Sequence, residues 1–387
     1  MLDGELIIDL GVLESHYAEW DALAVENGEP LMAPACVMAW WRHLAPSTAQ
    51  PRLIFVRDGQ SLVGVAPFYM DLSPWRRLDL RLPGIELASH LAPLAKHGCE
   101  EQVGETLART MGDIGPAPDL IALEGMTASS SWASALQKYW PTRIRPLVCR
   151  YNVLGCPAVS LDVDSFDAWL GRKSSHARHR LRRKKRQFAA AGGTIRLSTI
   201  STLAADVETL IRLHQMRWSQ RGGSHFVSSS GHMASLLNDI GNALLREGRF
   251  RLVILEIDDE PICAQLAIAA GAEVVGINGG WDERWARLSP TIVAILYLIE
   301  DALTRGDRRF QLGPGEQDYK RALSDEHDTV AWTVLMPPGV RLPLTLIRTA
   351  PMLGRTGLRN YIRRRASQRQ LDRYRKIRLQ LTQVVRR

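Results

Sequence analysis

An internal repeat constrains this chain more than any other feature. Arg52-Leu53-Ile54-Phe55-Val56, the polar turn Asp58-Gly59-Gln60 and Leu62-Val63-Gly64-Val65 are echoed by Arg251-Leu252-Val253-Ile254-Leu255, Asp258-Asp259-Glu260 and Ile262-Cys263-Ala264-Gln265. Each copy reads as a β-hairpin, because two β-rich runs meet across a short polar turn. The copies lie about 200 residues apart, so the chain is expected to hold two versions of one domain.

The flanking patterns repeat too. The second half reads as a strand at 194–200, helices at 203–221 and 232–247, the hairpin, and a strand at 273–280. A helix at 290–305, a strand at 308–312, a short helix near 316–323 and a strand at 328–336 follow. The first half reads as helices near 14–27 and 34–45, the hairpin, a strand near 85–89, a helix near 101–112, a strand at 119–123 and a helix near 130–139. Both orders are two helices, an antiparallel meander and an α/β crossover. The expected fold class is therefore α/β (α+β), with domains at 1–155 and 156–340 and a tail at 341–387.

Several function classes drop out early. The most apolar candidate for a membrane span, 333–353, is broken by Pro337, Pro338, Arg341, Pro343, Arg348 and Pro351. The Met-Leu-Asp-Gly-Glu start is acidic where a targeting peptide would be basic, which points to a cytoplasmic protein. Five cysteines without a Cys-x-x-Cys pair argue against a disulfide framework and a zinc site, so no metal is expected.

Charge is unevenly spread. Residues 172–186 carry +9 and residues 341–387 carry +13, which leaves −14 on the remainder of a chain whose total is +8. An acidic body thus bears two basic segments.

The element order, with Ser289-Pro290 opening a helix, resembles the GNAT N-acyltransferase fold. More narrowly, the chain resembles tandem-GNAT proteins of the CelD-like cellulose or exopolysaccharide biosynthesis group and, more distantly, Fem-type peptidoglycan aminoacyltransferases. The resemblance rests on His214-Gln215-Met216-Arg217-Trp218, on Leu288-Ser289-Pro290, and on Phe310-Gln311-Leu312-Gly313-Pro314-Gly315-Glu316-Gln317-Asp318-Tyr319-Lys320. It also includes Trp20 and the stretch from Ala35 through Trp40 and Trp41 to Pro67, and spans roughly 1–336. It implies two tandem domains, each a mostly antiparallel mixed sheet flanked by helices, followed by a basic C-terminal helix.

The helix from Pro290 is almost wholly apolar, so burial fixes its N-terminus, and the free amides there form an anion site. In the resembled family that site takes the pyrophosphate of acyl-CoA, which assigns Arg287, Leu288, Ser289 and Thr291 to the cofactor. The segment Glu283–Thr291 has arginines but lacks the family's glycines. Gly313 and Gly315 follow a buried strand, where ligands enter α/β sheets. The resemblance makes Tyr319 the proton donor to a departing thiolate, while Lys320 suits a phosphate or carboxylate.

His214, Arg217 and Arg221 share one helix face that suits an acceptor pocket, with His214 as a base. Asp282, at a strand end, competes for that role. Gln265 lies in an otherwise apolar strand and either bonds the acceptor or pairs with a neighbouring strand. The first half has no Gly-x-Gly-x-x-x-Tyr-Lys element and reads as a degenerate copy that shapes the cleft. Its Trp40, Trp41 and Trp75 are either core or sugar-stacking residues.

The basic helix at 172–190 suits a nucleotide-linked or anionic saccharide or, for a Fem-like enzyme, tRNA; the resemblance argues against DNA. The amphipathic tail from 356 leaves three readings: an anionic membrane surface, an acidic partner, or the chain's own acidic body. The sequence leaves the oligomeric state open. The expected function is transfer of an acyl group, acetyl foremost, from acyl-CoA to an amine or hydroxyl of a sugar or cell-envelope precursor. Aminoacyl transfer from tRNA and a scaffold in polysaccharide assembly are the alternatives.

Overall fold

The structure, a computed structural model, describes residues 2–73, 76–219, 226 and 230–365. The first half contains β1 (Asp3–Ile7), α1 (Tyr17–Asn27), α2 (Pro34–His43), β2 (Gln50–Asp58), β3 (Ser61–Leu72), β4 (Leu78–Arg81) and the short β5 (Leu94–Ala95). It continues through α3 (Glu100–Gly112), β6 (Leu120–Thr127), α4 (Trp132–Lys138) and β7 (Leu147–Ser160). The second half contains α5 (Phe166–Gly171), α6 (Ser175–Ala190), β8 (Thr194–Leu197), α7 (Leu203–Ser219), α8 (Ser230–Leu244), β9 (Phe250–Ile257) and β10 (Glu260–Ala270). Then come β11 (Glu273–Trp281), α9 (Pro290–Thr304), β12 (Arg309–Gln311), α10 (Asp318–Leu323), β13 (Glu326–Met336) and α11 (Leu342–Arg365).

All strands belong to one sheet with the order β1-β2-β3-β4-β6-β13-β7-β12-β11-β10-β9-β8, and β5 adds to β3. Read inward from either edge, four strands pair antiparallel and the fifth joins in parallel, β6 beside β4 and β12 beside β11. The duplicated hairpins are thus equivalent elements of two equivalent strand sets.

The centre departs from simple repetition. β7, from the first half, lies beside β12 of the second, whereas β13, from the second, lies beside β6 of the first. The two exchanged strands pair with each other from Ala158↔Glu326 to Leu147↔Met336. Position 155, where the sequence suggested a domain boundary, falls inside β7. The last strand of each half therefore completes the sheet of the other.

The helices explain why the exchange is tolerated. α2 packs against α8, and one core runs through Trp20, Trp40, Phe55, Leu210 and Leu236 across both halves. A hydrogen bond between His43 Nε2 and Asp239 Oδ2 at 2.9 Å and the Arg249–Asp21 ion pair at 2.7 Å edge this contact. Trp40 is a core residue at 1% exposure, and its indole donates to Glu86 Oε2 at 3.1 Å. Trp75 lies outside the described residues.

On the opposite face of the second half, α5, α6 and α9 cover a second core containing Trp169, Leu181, Phe188, Val293, Leu296 and Phe310. Ser174 caps α6 by accepting from the Ala177 amide at 3.3 Å. Its arginine-rich remainder stays outside, while Lys185 bridges to Glu300 of α9 at 2.7 Å.

Some expected elements differ. The third meander strand of the first half is Leu78–Arg81, and residues 85–89 form a turn instead. Gly84, at φ +100°, starts that turn, a conformation that costs glycine little.

Candidate active site

β11 pairs with β12 through Glu273↔Arg309, Val274↔Phe310 and Val275↔Gln311, and there β12 ends. β11 continues to Trp281. Its register against β10 slips between Ala267↔Gly276 and Leu266↔Asn278, so Ile277 is an inserted residue, a bulge that bends the strand. The two parallel strands consequently part.

A cavity of about 1070 Å³ opens at the parting. One wall is the β11 edge from Gly276 to Gly279, and another is Ser289, Pro290 and Thr291 at the start of α9. Leu312, Gly313 and Pro314 after β12, with Tyr319 and Lys320 of α10, form a third. The first half supplies Ile85, Leu87, Ala88 and Ser89, and Trp332 enters from β13. Among the described residues, Arg217 and Lys320 are the charged ones of this lining, and none is a carboxylate.

The β11 edge is held by side chains. Gln265 Nε2 donates to the Asn278 carbonyl at 3.1 Å, and His214 Nδ1 lies 3.0 Å from the Gly279 carbonyl. A carbonyl only accepts, so Nδ1 of His214 carries the proton. Burial pushes the imidazole pKa down, and at 1% exposure the ring sits under the sheet, outside the cavity lining. Gly280 brings α7 close: a Cβ there would stand 2.2 Å from the His214 nitrogen.

Lys320, 6% exposed, donates to the Gly313 carbonyl at 2.9 Å and the Pro314 carbonyl at 3.1 Å. Burial lowers its pKa to about 8. An ammonium has three donors, so one remains for a ligand. Gly313 at φ +78° turns its carbonyl toward this lysine. Burial raises the Tyr319 pKa, which keeps its phenol protonated at neutral pH.

At the start of α9, Ser289 adopts φ +54° and its Oγ accepts from Lys184 of α6. The Ile292 amide already bonds the Ser289 carbonyl at 3.0 Å, and Pro290 has no N–H. The first turn therefore offers the Thr291 amide and the helix dipole, with Lys184 beside them. This donor set fits one phosphate group and is smaller than the pyrophosphate site expected from the sequence.

The nominated residues thus separate. Tyr319, Lys320, Gly313, Ser289, Thr291, Arg217 and Gln265 line one cavity. Arg287 and Leu288, on a 3₁₀ turn, and Gly315, whose amide bonds the Gly155 carbonyl at 2.8 Å, are not among its lining residues. Asp282 is also outside it; its carboxylate accepts from Arg284 Nε at 2.7 Å and from the Arg284 amide at 2.9 Å. The hydrogen-bonded Arg284 guanidinium lowers its pKa, so Asp282 is a poor proton acceptor. Arg221 lies outside the described residues.

Sequence reasoning missed Ser89, Trp332, Lys184 and the Asn278-Gly279-Gly280 edge. Only the last had a local signal, since adjacent glycines inside a strand mark close backbone approach. Ser89 is 3% exposed, and its Oγ has no hydrogen-bond partner among the described residues.

Residues 175–321 match the Acetyltransferase (GNAT) domain family. The second half carries a GNAT acyltransferase domain. No curated protein matches the chain by sequence. Among solved structures, FemX aligns with a TM-score of 0.62 at 11% identity over 86% of this chain and 98% of that one. L-PGS from Bacillus licheniformis aligns at 0.50 and 13% identity over 79% and 89% of the two chains. The C-terminal domain of a putative lysylphosphatidylglycerol synthetase from Agrobacterium fabrum aligns at 0.50 and 10% identity over 78% and 88%. At these identities the likeness is one of fold. The GNAT domain has Fem-type structural neighbours, while the CelD-like grouping rests on the sequence resemblance alone.

Proposed function

We propose that the cavity transfers an acyl group from acyl-CoA, acetyl-CoA foremost, to an amine or hydroxyl of a sugar or cell-envelope precursor. The observation carrying this reading is the parting of β11 from β12, which brings Tyr319 and Lys320 to the same cavity as the start of α9. Acyl-CoA would supply an activated thioester and an anionic tail. The Thr291 amide, Lys184 and the α9 dipole suit a phosphate of that tail.

The remaining donor of Lys320 faces charge developing on the acyl oxygen as the acceptor attacks. The half-buried phenol of Tyr319 gives its proton to the departing sulfur as the carbon–sulfur bond breaks. Among the described residues the lining holds no Asp, Glu or His, and in this reading the acceptor's own proton leaves to solvent.

Ser89 Oγ, buried and without a partner among the described residues, suits a hydrogen bond to the acceptor, which gives the first half a part in substrate binding. Ser89→Ala should lower kcat/KM for the acceptor about tenfold, the worth of one hydrogen bond, with little change in melting temperature. Unchanged acceptor kinetics would remove Ser89 from the site.

A second reading is aminoacyl transfer from tRNA. It is favoured by the sparse amides at α9 and by a basic groove of about 620 Å³ that includes Arg178, Arg182, Lys185 and Arg186. The donors can be separated directly. Acyl-CoA at a hundred times its Kd should stabilise the fold by about 2.7 kcal/mol and release free thiol in the presence of acceptor. Turnover of aminoacyl-tRNA alone selects the second reading, and turnover of neither donor leaves the scaffold role.

A further inference from the structure

α11 carries its apolar face outward. Its inward side presents Thr345 and Thr349, at 3% and 0% exposure. Arg77 donates to Thr349 Oγ1 at 3.1 Å while binding Asp79 through two bonds of 2.6 and 2.8 Å. Leu342 and Met352 close this contact against Leu120, Ala122, Val334 and Met336 of the sheet.

The exposed residues of α11 through position 354 are Pro343, Leu344, Leu346, Ile347, Ala350 and Gly354, none of them polar. At 3.6 residues per turn they fill an arc of roughly 160°. Ile347 is 70% exposed, and Val340, just before the helix, is 98% exposed. Arg348 is the charged residue of these turns, and its Nη1 donates back to the Arg76 carbonyl at 2.8 Å. A helix packed on a water-soluble body normally has the reverse polarity.

Charge identifies what covers this face. The apolar turns lie between Arg341 and a run that starts with Arg355 and Arg359, and residues 341–387 hold 14 Lys and Arg against Asp372 alone. Apolar side chains flanked by cations fit the interface of an anionic bilayer, where the former enter the acyl boundary and the latter meet phosphates. Among the described residues no helix is long and apolar enough to cross a membrane, so α11 would lie in the interface plane.

We propose that the outward face of α11, from Val340 through Gly354, seats this protein on an anionic lipid surface. The face begins well before residue 356, where the sequence alone placed the start of the amphipathic tail. The proposal does not depend on which acyl donor is used.

The test is co-sedimentation of the full chain with vesicles of phosphatidylcholine, with and without phosphatidylglycerol. Binding is expected only to the anionic vesicles and should weaken as salt rises. Leu344→Asp with Ile347→Asp should lower that binding about tenfold or more, while the melting curve stays unchanged because both side chains lie outside the core. Absent binding, equal binding to neutral vesicles, or wild-type binding by the double variant would overturn the proposal. So would self-association that the double variant abolishes without any vesicle binding, since the face would then belong to a second copy.

Discussion

Lys320→Met is expected to lower kcat/KM by about 10²- to 10³-fold, the usual consequence of removing one preorganised donor from an acyl-transfer site. The side chain is fixed before any ligand arrives, because the Gly313 and Pro314 carbonyls hold Nζ at 2.9 and 3.1 Å. The ammonium therefore need not reorganise as charge develops. Methionine keeps most of the volume and removes the donors, so the loss reports charge and hydrogen bonding rather than packing.

The pH profile supplies the sign. Burial puts the Lys320 pKa at about 8, so the charged form prevails below that value. If the ammonium stabilises developing charge, activity falls as pH rises through about 8 and the Met variant lacks that limb. A rate that instead rises through about 8 would make the neutral amine a base and defeat this assignment. Stability should be followed alongside. Two carbonyls lose a partner, which costs about 1–3 kcal/mol each where water cannot replace it, while relief of the buried charge offsets part of that loss.

Much of the architecture was legible because it is local. A hairpin is written in adjacent residues, and Asp258 and Asp259 adopt φ +50° and +59°, as a tight hairpin turn requires. α9 was equally plain, since an apolar helix opened by Pro290 has one place to go. The strand exchange was not legible. β7 contains Asn152, Gly155 and Pro157 and alternates poorly between buried and exposed positions, so its period is hidden, and its partners lie far away in sequence.

The site divides along the same line. Gly313 and Lys320 are close in sequence, and the turn that joins them was readable. His214 and Asp282 have chemistry suited to a base, but His214 holds the Gly279 carbonyl and Asp282 holds Arg284. Those commitments depend on where α7 and the turn after β11 come to rest. Ser89 gave no signal, since it reaches the cavity only because the two halves share one sheet.

Gly280→Ala is expected to cost about 3 kcal/mol or more and to lower turnover with it. The added Cβ would stand 2.2 Å from the His214 nitrogen and 2.4 Å from the Leu213 carbonyl carbon, and both are helix backbone that cannot swing aside. α7 must lift from β11 as a body. That motion draws His214 Nδ1 from the Gly279 carbonyl and moves the Arg217 guanidinium from its seat 4.8 Å over the Trp281 ring. The β11 edge that walls the cavity then loses a support, so damage to folding and to catalysis should appear together in denaturant midpoints and steady-state kinetics. Gly171→Ala is the matched control: nothing lies within 4 Å of the place its methyl group would occupy, and its expected effect is within about 0.5 kcal/mol. Were Gly280→Ala as stable and active as that control, close seating of α7 on β11 could not be what shapes the site.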